Sequence, residues 1–473
     1  MDPQQPAGPA SDRHVVVVGG GITGLATAHA LLDAPERPQV TVLEADTRVG
    51  GKIRTSPFAG LPAVDEAADA YLTRVPSAVA LVRRLGLGDQ LTHPATAAAA
   101  VWHGGLHPIP EGLVLGVPTG LAALARSDLL SWRGKLRAGL EPLLPATDPG
   151  DRLGAWIRAR FGDEVHERLV DPLVGSIYAA DTDQFSLEGM PQLASLAGGR
   201  SLLLAARRAR SAAPAAHGPV FEAPRAGMGA LVDALAGSVR ARGGTIRTGT
   251  TAASVERADG RYRIGVDAGD GGPSELHADA VVLTSPARAT APLLARLSPD
   301  VGAALARVEH ASVVMVALAV PAEVWPAELT YSGYLVPKPD QRAVTAVSFA
   351  SNKWAHWRPD DGSMVLRVSL GRHGLVVDDW DDDRLVDQAV TEVGHHLGID
   401  LTPRAVRVTR WPAAFAQYRP GHLGRVDAME RVLAAAAPGV LLAGASHRGI
   451  GIPACVQQAE RAAGLLRQRL GSM

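Results

Sequence analysis

The sequence predicts an α/β fold, and three observations carry that reading. HVVVVGGGITGLATAHALL passes from an apolar strand (15–18) through a glycine turn into a helix. QVTVLEAD follows as a second apolar strand that ends in an acid. Two more short apolar strands, in HADAVVLTSP and GVLLAGAS, recur late in the chain. Apolar strands alternating with helices build a parallel sheet.

In the first unit, Val15 to Val18 read as a buried strand, and Leu25, Ala28 and Leu32 share one face of the helix. The turn between them satisfies GxGxxG with Gly19, Gly21 and Gly24, and with Gly20, Ile22 and Thr23 in between. Gly19 allows the turn, Gly21 lets a pyrophosphate approach the backbone, and Gly24 lets helix and strand lie close. The phosphates would sit on the helix N-terminus, where unpaired N–H groups and the dipole favour anions. These are the features of a Rossmann-like dinucleotide domain. Glu44, 20 residues past Gly24, is placed to accept hydrogen bonds from a ribose; the plainer alternative is a solvated carboxylate at a strand end.

RVGGKIRT comes next, with Arg48, the pair Gly50-Gly51 and Lys52. A simple NAD site needs nothing there, whereas an extended FAD needs backbone close to its pyrophosphate and ribityl chain. FAD is therefore the expected cofactor, against the alternative of a turn carrying two solvated basic residues.

With 473 residues, 47% of them hydrophobic, the chain can bury a substantial core in two or three domains. A net charge of -1 and a pI near 7.0 supply no field to attract nucleic acid. Lysine occurs only at positions 52, 135, 338 and 353, which reads as base composition. One cysteine, Cys455, excludes an intrachain disulfide, and a reducing cytoplasm fits. Residues 1–12, MDPQQPAGPASD, read as a disordered tail without the regions of a signal peptide. Apolar runs such as Val313 to Val320 are shorter than the roughly 20 residues of a membrane span, which leaves peripheral membrane contact open.

Other tempting sites resolve plainly. His395-His396 has no ligand partners and reads as a surface pair, so no metal is expected. The DDWDDD run, Asp378 to Asp383, reads as a solvated helix start. GASHRG lacks the second glycine of a nucleophile elbow, which excludes a Ser/His/Asp hydrolase.

GTIRTGTTAASVERADGRYRIGV reads as short strands with a turn at Ala258 to Gly260, so the nucleotide domain is discontinuous. We assign 13–75, 222–298 and 435–473 to it. Residues 76–91, 191–221 and 299–434 go to a mixed α/β substrate-binding domain, whose strand-like runs are SVVMVALAV, AVTAVSFA and SMVLRVSL and whose helix is DDDRLVDQAVTEVGHHL. Residues 92–190 read as an α-helical subdomain.

Together these blocks resemble the flavoprotein family that includes monoamine oxidases, carotenoid desaturases and protoporphyrinogen oxidases. The narrower pieces are LHPIPEGLVLGVPT, GDEVHERLVDPLVGSIYAADTDQFSL, VTRWPAAFAQY and GASHRGIGIPACV, and they resemble the bacterial coproporphyrinogen III oxidases of haem synthesis. The resemblance covers the chain from His14 onward. It implies FAD contacts at Gly19 to Gly24, Glu44, Ala45 and Lys52, at Ala252 in GTTAASV, at Trp411, and at Ile450, Gly451 and Ile452. Relatives usually carry a GPDSF-like segment beside the flavin. This chain has AADAY instead, so Ala67, Ala68, Asp69 and Ala70 take those positions without the glycine and proline.

The implied reaction takes six electrons from coproporphyrinogen III in three two-electron steps, passing hydride to the flavin. Molecular oxygen is the acceptor, and coproporphyrin III and hydrogen peroxide are the products. No catalytic side chain is nominated, because the chemistry mainly asks for a flat macrocycle held within hydride reach. Four propionates call for cations, and Arg448 and Arg419 are candidates because they neighbour cofactor motifs, with an ordinary solvated arginine as the favoured alternative for each. A ferrochelatase is the implied recipient of product; the oligomeric state is left open. The alternatives are a protoporphyrinogen IX oxidase, an amine-oxidase-like flavin oxidase, and a flavin-free protein like the GDP dissociation inhibitors.

In GVLLAGASHRGIGIPACV, a strand from Val440 to Ala443 should rejoin the nucleotide sheet, with Gly449 and Gly451 against the isoalloxazine. Pro453 suits the first helical turn, whose N-terminus would favour the reduced anionic flavin. Cys455 reads as a small buried apolar residue.

Overall fold

The first strand, His14–Val18, lies in the middle of a five-stranded parallel sheet. Its neighbours are Gln39–Leu43 on one side and Ala280–Leu283 on the other, with Val16 level with Thr41 and with Val281. Thr245–Arg247 and Val440–Leu442 close the two edges. Val15, Val16 and Val17 have no solvent exposure, as a strand covered on both faces requires. The sheet gathers strands from both ends of the chain. This computed structural model describes residues 12–34, 37–212, 218–269 and 272–471; of the tail expected at 1–12, only Asp12 lies within them.

Helices Ile22–Leu32 and Ile452–Gly471 pack together on this sheet. Thr251–Ala258, Arg261–Asp267 and Pro273–Ala278 form a three-stranded antiparallel sheet beside it, with Asp259 and Gly260 at positive φ in the expected turn.

A second large sheet has seven strands in the order Ala405–Ala416, His310–Val320, Met364–Leu370, Val344–Phe349, Gly333–Leu335, Ala100–Trp102 and Leu106–Pro108. Along His310–Val320, Val314, Val316, Leu318 and Val320 join the cluster of Leu385, Ala389 and Val393 from helix Asp382–Leu397. Ala317 and Ala319 turn to the other face, toward Trp354 and Trp357. This period-two division sets the sheet between two cores. The Asp381 side chain accepts from the Arg384 N–H at 2.8 Å, which makes the DDWDDD run the expected helix start.

Helices between Leu121 and Ala212 enclose their own core around Leu153, Trp156, Ile157, Phe161 and Phe185. Three readings need correction. Residues 100–108 are strands of the seven-stranded sheet, so the segment 92–190 is not helical from its start; apolar runs of three residues are too short for periodicity to report. Helix Pro76–Arg84, assigned with the substrate domain, packs on the terminal helix, with the Ser77 hydroxyl donating to the Pro453 carbonyl at 2.9 Å. His396 is buried against Trp102 and Tyr334, and only His395 is exposed. Among the described residues no cluster of metal-ligating groups is present.

Candidate functional site

The first turn is built by glycine sterics. Gly19 has φ +108°, and a Cβ on Gly24 would lie 1.8 Å from the Gly19 carbonyl oxygen, so only glycine lets helix and strand meet. A Cβ on Gly21 would meet nothing within 4 Å. Gly21 therefore faces open space, and helix Ile22–Leu32 starts there with no side chain capping it. Its first amides have no intrahelical partner. Open backbone and uncapped amides at one point make a cradle for an anion, which is how the residues fit the pyrophosphate of a dinucleotide.

Glu44 stands at the end of its strand beside this cradle. Its carboxylate accepts from the Gly20 N–H at 2.7 Å and from the Asp46 N–H at 2.8 Å, so it is oriented rather than freely solvated. Ala45 follows it, exposed. The Thr250 N–H donates to the Glu44 carbonyl at 2.8 Å, which brings the start of the strand carrying Ala252 to the same place.

The second glycine pair folds against the first turn. The Gly50 N–H donates to the Gly20 carbonyl at 2.8 Å, and Gly50 and Gly51 have φ of +105° and +54°. Arg48 reaches the carbonyls of Val49, Gly51 and Ile53 and so pins its own loop. Lys52 is half-buried, and desolvation lowers its pKa. Its ammonium donates to the Ala414 carbonyl. That carbonyl is turned by an irregularity in the pairing of Ala405–Ala416 with His310–Val320, where Ala413 takes φ +47°. The alternative of two solvated basic residues is thereby excluded.

The same long strand carries Trp411, half-buried, whose indole N–H donates to the Glu66 carbonyl at 3.2 Å. This joins Trp411 to Ala67–Ala70, the segment expected beside the flavin. Asp69 in that segment is committed elsewhere: Lys353 and Arg367 approach its carboxylate to 2.8 and 2.9 Å, and the Trp354 indole to 3.1 Å. Burial alone would raise the Asp69 carboxyl, but the two cations outweigh it and hold its pKa below the usual range. Arg367 also donates to the Ala67 carbonyl. The Asp69 side chain is thus a tether of its segment.

The terminal turn arrives beside the first one. Gly444 and Gly449 have φ of +117° and +111°, and a Cβ on Gly451 would come no nearer than 3.7 Å to any atom, that of Pro453. Ile450 is half-buried, Gly451 exposed and Ile452 buried at the start of the terminal helix. Cys455 is buried one turn in, with burial raising its pKa and its thiol directed at the Ile450 carbonyl at 3.8 Å. The first and terminal helices pack side by side. Both helix dipoles and both open glycines therefore face one region, which also receives Lys52.

Sequence reading missed what holds this turn. The Tyr418 hydroxyl donates to the Ala445 carbonyl at 2.8 Å and accepts from the Gly449 N–H at 2.7 Å. Tyr418 ends the VTRWPAAFAQY segment, but nothing in that pattern says which loop a phenol 27 residues away will bind. Arg448 and Arg419 need correction as cations for a substrate. Arg448 pairs with Asp427 and Glu430, and Arg419 with Glu309 and Gln184. Lone motif neighbours gave no sign of those acids.

A parallel-sheet domain with an anion cradle, an oriented strand-end acid and a second helix N-terminus aimed at the same region defines a flavin-dependent oxidoreductase. Residues 22–467 match the family of flavin-containing amine oxidoreductases, and the chain belongs to that family. The cofactor is FAD. Among relatives, the chain is 34% identical to coproporphyrinogen III oxidase of Bacillus subtilis (strain 168), over 95% of this chain and 97% of that one. It is 33% identical to coproporphyrinogen III oxidase of Propionibacterium freudenreichii subsp. freudenreichii, over 97% and 91%. A crystal structure of a protein from Exiguobacterium sp. 255-15 superimposes with TM-score 0.84 at 30% identity, covering 98% of this chain and all of that one. Cyclohexylamine oxidase from Brevibacterium oxydans IH-35A shares the fold at TM-score 0.69 and 18% identity, covering 98% and 100%.

Proposed function

We propose that this oxidoreductase converts coproporphyrinogen III to coproporphyrin III in haem biosynthesis, with molecular oxygen as acceptor and hydrogen peroxide as product. The observation that carries the reading is full-length likeness to coproporphyrinogen III oxidases in a chain that keeps both flavin-facing turns and Lys52. When bound, FAD supplies the two-electron acceptor. The chain's own part is to hold it: Gly19 to Gly24 and Glu44 at the dinucleotide, Lys52 and the terminal turn at the ring end. Trp411 and the tethered segment 67–70 would lie beside it. The propionates need cations other than Arg448 and Arg419.

The test is anaerobic mixing of the flavin-loaded protein with coproporphyrinogen III and, separately, with protoporphyrinogen IX. Bleaching of the flavin absorbance by the first, and peroxide formation on admitting air, are expected. No bleaching by either sinks the proposal. Bleaching by the second alone moves the assignment to protoporphyrinogen IX, the reading favoured by 27% identity to the chloroplastic protoporphyrinogen oxidase 1 of Spinacia oleracea over 95% of this chain and 83% of that one. Product handover to a ferrochelatase belongs to the same proposal, with transfer between the two purified proteins as its measurement.

No helix among the described residues is long and apolar enough to cross a membrane. We infer peripheral contact with an anionic lipid surface instead. Its support is helix Trp132–Gly139 and the turn after it, where Trp132, Leu136, Leu140 and Leu143 share one face, with Trp132 69% and Leu143 74% exposed. Arg133 and Lys135 flank that face, a pairing of apolar and basic groups that suits a lipid interface. Sedimentation with anionic vesicles should carry the protein down, and Leu136→Glu should release it. Failure of the wild type to bind removes this inference.

A further inference from the structure

The terminal turn, residues 444–451, has little backbone bonding of its own. It is closed at its start by the His447 N–H donating to the Gly444 carbonyl at 3.1 Å. Both ends of the stretch from Ala445 to Gly449 are instead held by one phenol, that of Tyr418, which donates to the first and accepts from the second. Tyr418 is 1% exposed, and both hydrogen bonds of its hydroxyl go to this single loop.

The ring that carries this hydroxyl is itself fixed. The His422 imidazole lies parallel to it with centroids 4.1 Å apart and planes 9° apart, and Phe185 is near-parallel at 6.0 Å. Burial pushes the His422 pKa down to about 4, so the ring is neutral near pH 7. Its Nε2 lies 2.9 Å from the His447 carbonyl, and a carbonyl can only accept, so Nε2 carries the proton and adds a third bond to the turn.

The backbone of Tyr418 faces the helical region. Its carbonyl accepts from the Ser186 N–H at 2.7 Å. The Asp151 carboxylate in turn binds the Ser186 hydroxyl, the Glu188 N–H and the Gly421 N–H. Tyr418 thus joins the wall made by residues 185–188 to the turn that carries Ile450 and Gly451.

We propose that Tyr418 is the positioning residue of the flavin-facing turn. Its hydroxyl holds residues 445–449 so that the N-terminus of helix Ile452–Gly471 stays aimed at the flavin, with His422 as its support. A helix N-terminus favours negative charge, so the arrangement raises the tendency of the bound flavin to accept electrons. The inference rests on the flavin site alone and stands whichever porphyrinogen is the substrate.

Tyr418→Phe tests it, since the ring and its stack remain and only the hydroxyl is lost. Two readouts apply without substrate: the dissociation constant of FAD from the reconstituted protein, and the midpoint potential of the bound flavin. Leaving the Gly449 N–H and Ala445 carbonyl unpaired should weaken FAD binding by about tenfold and move the potential to a more negative value. A lowered melting temperature with both readouts unchanged would show a purely structural residue and overturn the proposal. If Tyr418→Phe yields no folded protein, His422→Gln takes its place; a smaller shift of the potential in the same direction supports the proposal, and no shift overturns it. Because neither readout involves a porphyrinogen, failure here is distinct from failure of the substrate assignment.

Discussion

The two glycine turns face one cofactor but are held by different physics. The first, residues 19–24, is closed by its own neighbours: a Cβ on Gly24 would strike the Gly19 carbonyl, and the Gly50 amide binds Gly20. The terminal turn is closed by side chains from other parts of the chain, chiefly Tyr418 and His422, with the Gln458 carboxamide accepting from the Gly444 N–H at 3.2 Å. The first turn is therefore a local motif with fixed shape. The second is a tertiary product whose shape can respond to what happens around it.

Breaking the first turn should cost most. Gly24→Val drives a side chain into the Gly19 carbonyl and should destabilise the fold by about 3 kcal/mol or more, seen as aggregation on expression or a collapsed melting temperature. Gly21→Val separates folding from binding, because the space there is open: the protein should melt as the wild-type apoprotein does yet retain no FAD through gel filtration. Full FAD retention would count against the cradle.

The terminal turn should be sensitive to acid. Burial pushes the pKa values of His447 and His422 down to about 4 from 6.5. For groups with a depressed folded pKa, stability is complete above the ordinary value near 6.5 and is lost as pH falls toward 4. The loss is roughly 3 kcal/mol at most for each ring. His447 has no partner at either ring nitrogen among the described residues. His447→Phe should therefore be nearly neutral at about pH 7 and should remove its share of the loss at about pH 5, measured by urea denaturation at both. An identical pH dependence in variant and wild type would place the acid sensitivity elsewhere.

The smallest effect on stability belongs to Gly451→Ala. A Cβ there comes no closer than 3.7 Å to Pro453, so stability should change by less than about 0.5 kcal/mol while FAD affinity falls. Unchanged affinity would show that Gly451 stands clear of the cofactor.

Much of this is legible in the sequence where the signal is local. An apolar strand, a glycine code and a helical face lie within twenty residues from His14 to Leu32, and Glu44 and the Gly50-Gly51 pair follow at short range. Segments with weak local signal misled. Ala100–Trp102 became a strand because Gly333–Leu335 offered it an edge, and His396 became buried because Trp102 and Tyr334 enclosed it. Arginines resisted assignment altogether: Arg448 and Arg419 look alike in sequence, and each found its own acids.

By itself the sequence determined the parallel sheet, the FAD cradle and the family, because glycine sterics, apolar periodicity and strand-end acids act over a few residues. Only tertiary structure decided that Asp69 would be a tether between Lys353 and Arg367, that Lys52 would bind the Ala414 carbonyl, and that Tyr418 would hold the terminal turn. Those outcomes depend on charges and hydrogen-bonding groups meeting across tens to hundreds of residues. A buried polar group takes whichever partner the packed fold brings within reach.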